Sequence, residues 1–238
     1  MACGCSRVAS EDVRDDLPPN PWFSTDYLVR SWPDVSQALS QHVSLTVQAV
    51  LVAAAISFPL AFLAHRWPRW APPVLSTTAV LYTVPSLALF ALLAPWTGIG
   101  RTTVLIGLVV YALMLLTRGI LTGLRATDPE VADAARGMGY SPTALLLRVE
   151  LPQALPAVFS ALRLTTVSTV ALVTVGVVVG YGGLGQLLFR GLRANYRAEV
   201  MTATLLALAV ALVADLLLAV VGRLVTPWAR RGVGAWTS

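Results

Sequence analysis

The sequence predicts an all-α integral membrane protein, with about five transmembrane helices and one short polar insert between the third and the fourth. Three observations carry that prediction. The chain of 238 residues is 56% hydrophobic and only 12% charged, where a soluble domain holds about 25% charged residues. Its mean hydropathy is +0.72, and the apolar residues are gathered into blocks near the ~20 residues that cross ~30 Å of hydrocarbon. These blocks are too long and too uniformly apolar for barrel strands, which leaves the helix as the spanning form. At this length one domain is expected.

Residues 1–37 read as an acidic N-terminal tail on the extracytoplasmic side. The first forty residues hold Glu11, Asp12, Asp15, Asp16, Asp26 and Asp34 against Arg7, Arg14 and Arg30. Cys3 and Cys5 form no disulfide framework and read as incidental. Acidic and proline-rich sequence follows them at once, which does not fit a signal peptide. Residues 38–225 read as the membrane domain, with spans expected at 43–64, 71–94, 102–121, 155–179 and 201–225. Residues 226–238 form a C-terminal tail.

Orientation follows from arginine, because the chain contains no lysine. One choice places Arg66, Arg69, Arg118, Arg125, Arg136, Arg148, Arg223, Arg230 and Arg231 inside, and Arg101, Arg190, Arg193 and Arg197 outside. Positive residues favour the cytoplasmic side. The N-terminus is then outside, and the C-terminus and the insert are cytoplasmic. Trp67, Trp70, Trp96, Tyr196 and Trp228 fall near span ends, where amphipathic rings anchor helices. Arginines at the ends of apolar blocks make a topology signal, not the single basic face that nucleic-acid binding needs.

Within the second span, Tyr82, Pro85 and Ser86 mark a break, since proline frees a backbone carbonyl and kinks a helix. Tyr82 or Tyr111 could attract a quaternary ammonium through its ring face. Span four is polar for a membrane helix, with Arg163, Thr165, Thr166, Ser168, Thr169 and Thr174. Arg163, Thr166 and Thr169 are candidates to line a pathway, because ionisable groups within a membrane default to function. Ordinary hydroxyl-to-backbone bonding and a snorkelling arginine explain the same residues structurally. Asp215 in span five lies at a depth where it can pair with Arg163.

The insert, residues 127–152, interrupts this pattern. Thr127 and Glu130 read as a capping box around Pro129, followed by Ala132, Ala134 and Ala135 on a low-relief helix that Gly139 ends. Ser141 and Pro142 start a second helix, and Pro152 and Pro156 break it before span four. Two short angled helices result. Small side chains permit close approach to another protein's groove, whereas an amphipathic linker resting on the membrane would serve as a plain connection.

"GYGGLG" (residues 180–185) fits the glycine spacing of dinucleotide sites. Such a site needs a soluble strand–turn–helix unit and an acid about 20 residues on. Here the preceding run belongs to a membrane span, the segment is expected outside and Glu199 is the nearest acid, so Gly180, Gly182, Gly183 and Gly185 read as an external bend or gate. His42 and His65 are isolated and suggest no metal site. A membrane enzyme would need a clustered nucleophile, metal or acid–base set, and the sequence offers none.

Asp133-Ala134-Ala135, then Gly139, Val149 and Leu151-Pro152, resemble the cytoplasmic motif of bacterial ABC-importer permeases: Glu-Ala-Ala, three residues, Gly, nine residues, Ile, one residue, Leu-Pro. All spacings match; Asp replaces Glu and Val replaces Ile. The resemblance spans roughly residues 38–223. The segment from Tyr82 to Leu124 and the one from Gly180 to Leu192 are similar to the osmoprotectant branch, which serves glycine betaine, choline and carnitine. Methionine-type permeases share the five-span core and stay open as an alternative. The resemblance implies a type I ABC importer permease fold, in which the insert is a coupling helix docked on a separate cytoplasmic ATPase. Asp133, Ala134, Ala135 and Gly139 would sit at that joint, with Leu151 and Pro152 attaching it to span four. It also implies an extracytoplasmic solute-binding protein and a second permease subunit, identical or homologous, besides membrane lipid. No cofactor is expected in this chain: ATP and Mg belong to the ATPase, and a phosphate loop ending in Lys-Ser/Thr has no lysine to supply it. A stand-alone secondary transporter, the reading from a different class, would call for internal repeats that five spans do not give.

Overall fold

The computed structural model describes residues 20–230. The early acidic residues, Cys3, Cys5 and Arg231 lie outside them. Helix α1 (Thr25–Arg30) is short and capped by Ser24, whose hydroxyl accepts from the Tyr27 amide. Helix α2 (Trp32–Arg66) runs 35 residues, about 52 Å at 1.5 Å per residue. It begins well before the expected start at residue 43. The polar turns 32–42 carry no hydropathy signal, yet Val35, Ala38 and His42 are buried by tertiary packing. The helix therefore runs through the expected 37/38 domain boundary.

The second expected span is two helices, α3 (Ala71–Thr83) and α4 (Ser86–Thr97), led in by a 3₁₀ turn at Pro68–Trp70. Residues 68–83 and 86–97 meet at 96°, so the pair is a broken span or a re-entrant hairpin. Val84 is extended (φ −63°, ψ 126°), the conformation a following proline imposes. The Tyr111 hydroxyl donates to the Val84 carbonyl at the break. Helix α5 (Arg101–Arg125) follows, then α6 (Pro129–Gly137) and α7 (Pro142–Leu145). A π-helical turn (Leu146–Glu150) leads into α8 (Leu151–Val175), α9 (Leu184–Arg193) and α10 (Arg197–Val225).

Among the described residues, four helical segments are long and apolar enough to cross a membrane, or five with the bent pair counted as one. Helix α5 is the hub, packed against both α2 and α8, with α10 on the far side of α8. Lipid supplies no hydrophobic drive between helices, so close packing must hold them. Gly119 and Gly123 on α5 meet Ala154, Ala157 and Ala161 on α8; a methyl at 119 would overlap the Ala161 side chain, and one at 123 would lie 3.0 Å from the Ala154 carbonyl oxygen. Leu116, Ile120, Leu124 and Val158 fill the core around this seam. Leu45, Phe90, Val104, Leu108 and Val173 form a second core further along the bundle.

Candidate functional site

The insert is built from its caps outward. Asp128, not Thr127, caps α6, accepting from the Glu130 amide at 2.9 Å. Pro129 then occupies the first helical turn, where its missing N–H costs nothing. The helix thus starts one residue later than a Thr127–Glu130 capping box requires, and the Thr127 hydroxyl is buried with no hydrogen-bond partner. Gly139 has φ +85°. The Tyr140 amide reaches back to the Ala135 carbonyl (3.2 Å) and the Gly139 amide to that of Arg136 (3.0 Å), which is a Schellman closure. Space around Gly139 is open, so the left-handed backbone and not crowding calls for glycine there.

Ser141 caps α7, accepting from the Ala144 amide at 3.3 Å. The second helix does not end at Pro152. It continues through the π turn, where the Leu151 amide bonds to the Leu146 carbonyl, directly into α8. Pro152 lies in the first turn of α8 and Pro156 inside it. The π turn shifts the bonding register by one residue just where Pro152 withholds an amide, so the run bends without breaking. The insert is therefore one separate helix, α6, hinged at Gly139 to the extended end of span four.

Ala132 and Ala135 are buried, packed with Leu145 and flanked by Val149. Asp133 and Ala134 lie on the outer face with Arg136, whose guanidinium pairs with Asp133 at 2.5 Å. Ala135 thus faces inward, and its small side chain allows α6 to lie close on α7. The outer face carries Val131, Met138 and Tyr140, exposed at 41%, 71% and 37%. None of the three carries a sequence motif, and the local signal is a methionine between two glycines. Leu151 and Pro152 are half-buried at the junction.

His65 is not isolated. Its Nε2 lies 2.7 Å from Oε2 of Glu150, tying the end of α2 to the π turn. Neither residue had a sequence signal, since only folding brings them together.

Deeper in the bundle, Arg163 and Asp215 form a two-pronged ion pair, Nε–Oδ1 2.8 Å and Nη2–Oδ2 2.7 Å. They join α8 to α10 within one chain, with about a third to two fifths of each side chain exposed. Thr166 and Thr169 are buried and donate to the carbonyls of Leu162 and Thr165 four residues back. The break presents Tyr82, 40% exposed, edge-on to the ring of Tyr111 with centroids 5.6 Å apart. Pro85 is exposed and Ser86 half-buried beside it.

At the opposite end, the glycine turn follows a 3₁₀ segment (Gly176–Val179) that continues a helix, which is the wrong context for a dinucleotide loop. Gly180 is left-handed, and the side chain of Gln186 donates to its carbonyl at 2.7 Å. A side chain at Gly182 would meet the Val177 nitrogen at 2.6 Å, and one at Gly183 would meet His42 Cα at 2.8 Å. One at Gly185 would strike the Thr174 carbonyl. These close approaches pin α9 against α2 and α8. Beside them Arg190 pairs with Glu199 (2.6 Å) and Asp34 (3.4 Å), and the bond to Glu199 is the main cause that raises its pKa. Burial, and then the Glu199 charge, push up the pKa of the neighbouring Tyr27 hydroxyl. His42 is fully buried, with Nε2 3.1 Å from the Val170 carbonyl oxygen. Among the described residues no three His, Cys, Asp or Glu side chains gather as a metal site would require.

A model of the family described as binding-protein-dependent transport system inner membrane component matches residues 55–231. The chain is 33% identical over 174 residues to a carnitine transport permease protein, OpuCB, of Listeria monocytogenes, covering 73% of this chain and 76% of that protein. It is 32% identical to a glycine betaine/carnitine/choline transport system permease protein, OpuCD, of Bacillus subtilis, covering 81% and 85%. Among solved structures, an inward-facing MetNI methionine ABC transporter superposes with a TM-score of 0.75 at 23% identity, covering 81% of this chain and 96% of that one. At that identity the likeness concerns the fold.

Proposed function

The chain belongs to the binding-protein-dependent transport system inner membrane component family, and from that premise we propose that it moves quaternary-ammonium osmoprotectants such as glycine betaine, carnitine or choline. It is the permease subunit of an ABC importer, a multi-pass membrane protein and not an enzyme; nucleotide binding in this family belongs to a partner ATPase. The observation that carries the substrate class is the naming of its relatives as carnitine and glycine betaine/carnitine/choline permeases.

In this reading residues 38–225 are the permease domain, residues 226–238 are cytoplasmic and the acidic tail is extracytoplasmic. The arm at residues 127–152 faces the cytoplasm. Its outer face, with Asp133 and Ala134 flanked by Val131 and Met138, seats in the ATPase. Ala135 and Gly139 shape the arm, and Leu151 and Pro152 carry its displacement into α8. Because the helical run from Pro142 to Val179 is continuous through the π turn, a push on the arm is passed along it into α8. Two such subunits form the pathway, with Tyr82, Pro85, Ser86 and Arg163 on its side and Thr166 and Thr169 supporting the wall from behind. The glycine turn at Gly180, Gly182, Gly183 and Gly185 closes its outer end, where a binding protein delivers solute.

The test is ATPase activity of the assembled complex, reconstituted with its binding protein. Glycine betaine, carnitine or choline should stimulate hydrolysis while methionine does not. Stimulation by methionine alone would assign the chain to the amino-acid branch. Uptake by this chain alone in proteoliposomes would make it a secondary transporter.

A further inference from the structure

Two neighbouring depressions at the arm end share a wall. A groove of ≈ 410 Å³ opens between α2 and the arm, with Pro59, Phe62 and Leu63 on one side and Pro142 and Leu146 on the other. Arg66 stands at its mouth beside Trp67. Arg66, Pro142 and Leu146 also line a polar cup of ≈ 250 Å³ that contains Arg136, Tyr140 and the His65–Glu150 pair. An apolar slot thus leads directly into a cup that holds Arg66 and Arg136 with one carboxylate, Glu150.

The charges are not all paired. Glu150 is engaged by His65, and Asp133 by Arg136. Among the described residues Arg66 has no carboxylate within ion-pair distance; its neighbour is the Trp67 ring, 5.9 Å from the guanidinium carbon. Arg66 is therefore the arginine of the cup without an ion-pair partner, while the Glu150 carboxylate in the same cup is held by His65. Trp67 and Trp70, 45% and 46% exposed, mark this level as the water–lipid boundary. From Arg66 the slot descends along the helix to Pro59, about 10 Å at 1.5 Å per residue, into the apolar part of the span. A soluble anion gains nothing from Phe62, Leu63 and Leu146. A molecule with a negative head and an apolar tail satisfies both halves.

We infer that this groove and cup form a binding site for an anionic phospholipid, its phosphate at Arg66 and the start of an acyl chain between α2 and Leu146. The site bridges a fixed helix and the moving arm. The bound lipid braces the arm against the end of α2, and the content of anionic lipid sets how firmly arm movement is passed on. This goes beyond the transport reading and holds for any solute carried.

The complete complex, permease with its ATPase and binding protein, is reconstituted in nanodiscs of phosphatidylcholine with graded phosphatidylglycerol. Lipid retained after delipidation is measured by native mass spectrometry, and solute-stimulated ATPase is measured in parallel. Arg66→Gln should lower phosphatidylglycerol retention about five-fold, as expected for one basic contact at a charged surface. It should flatten the dependence of ATPase on phosphatidylglycerol and leave activity in pure phosphatidylcholine unchanged. Leu63→Trp, which fills the slot and keeps the charge, should also lower retention. Arg69→Gln, three residues on and outside both depressions, should change neither quantity. Equal losses from Arg66→Gln and Arg69→Gln would mean diffuse surface charge and overturn the proposal. Unchanged retention in Arg66→Gln, or phosphatidylcholine held as tightly as phosphatidylglycerol, would overturn it too. Stimulation by inorganic phosphate in pure phosphatidylcholine discs would assign the cup to a soluble anion instead.

Discussion

Replacing Gly119 with alanine probes the seam that the arm must move. The new methyl would overlap one side chain, that of Ala161, with the Ala161 Cα at an ordinary 3.5 Å behind it. Carbon atoms rest at about 3.5–4.0 Å, so α5 and α8 must separate or twist. Overpacking of this kind costs about 1–3 kcal/mol. For a chain of this size each kcal/mol lowers the melting temperature by about 2–4 °C, which gives a fall of about 2–12 °C. Ala161→Gly in the same chain removes the opposing methyl and only transposes the small residue across the interface. The double variant should return to within about 0.5 kcal/mol of the parent, a coupling of about 1–3 kcal/mol in a double-mutant cycle. Gly123→Ala should differ. Its methyl would lie 2.9 Å from Ala157 Cβ but also 3.0 Å from the Ala154 carbonyl oxygen. Ala157→Gly relieves the first contact and not the second, so rescue should be incomplete. Circular dichroism melts of the detergent-purified chain supply the numbers. Full stability of Gly119→Ala, or no rescue by Ala161→Gly, would refute the close-packed seam.

Three further outcomes are expected. Gly139→Trp should assemble with the ATPase and hydrolyse ATP while solute uptake falls, because a left-handed position costs a side chain about 1–2 kcal/mol and re-aims the arm; parallel ATPase and uptake assays check this, and normal uptake in a well-expressed variant contradicts it. Asp215→Asn should cut uptake by unpairing Arg163, and the exchange Arg163→Asp with Asp215→Arg should restore part of it; failure of the exchange with intact folding would remove the pair from the mechanism. Folding raises the Tyr27 pKa from its model-compound value of 10.0, burial first and the Glu199 charge second. The unfolded chain therefore releases this proton first, so the contribution to stability is intact below about pH 10 and is lost as pH rises through the folded value. Ultraviolet titration should show a late-ionising tyrosine component that Tyr27→Phe removes.

Local chemistry made some features legible. Pro85 after an apolar helix fixes Val84 as extended, and the 96° bend follows from there. Gly139 announced a left-handed helix end, and its φ of +85° agrees. Ser141 and Pro142 marked a helix start for the same reason. What escaped depended on contacts between distant residues. The first turns of α2 are polar and become helical by packing against α9 and α10, so hydropathy placed the start eleven residues late. Two prolines suggested a break before span four, but the π turn absorbs Pro152 and the helix continues. Alanine at 135 looked like an outward surface, whereas it is small because Leu145 lies against it. His65 and Glu150, 85 positions apart in sequence, carried no signal at all.

The central claim is that the outer face of the Pro129–Gly137 helix is gripped by the ATPase. A photo-cross-linking residue in place of Met138, exposed at 71%, addresses it most directly in the assembled complex. A second at Trp96, 86% exposed at the far end of the bundle, serves as the comparison. Position 138 should give an adduct to the ATPase subunit and position 96 none. An intact complex in which position 138 labels only lipid, or nothing, would contradict it.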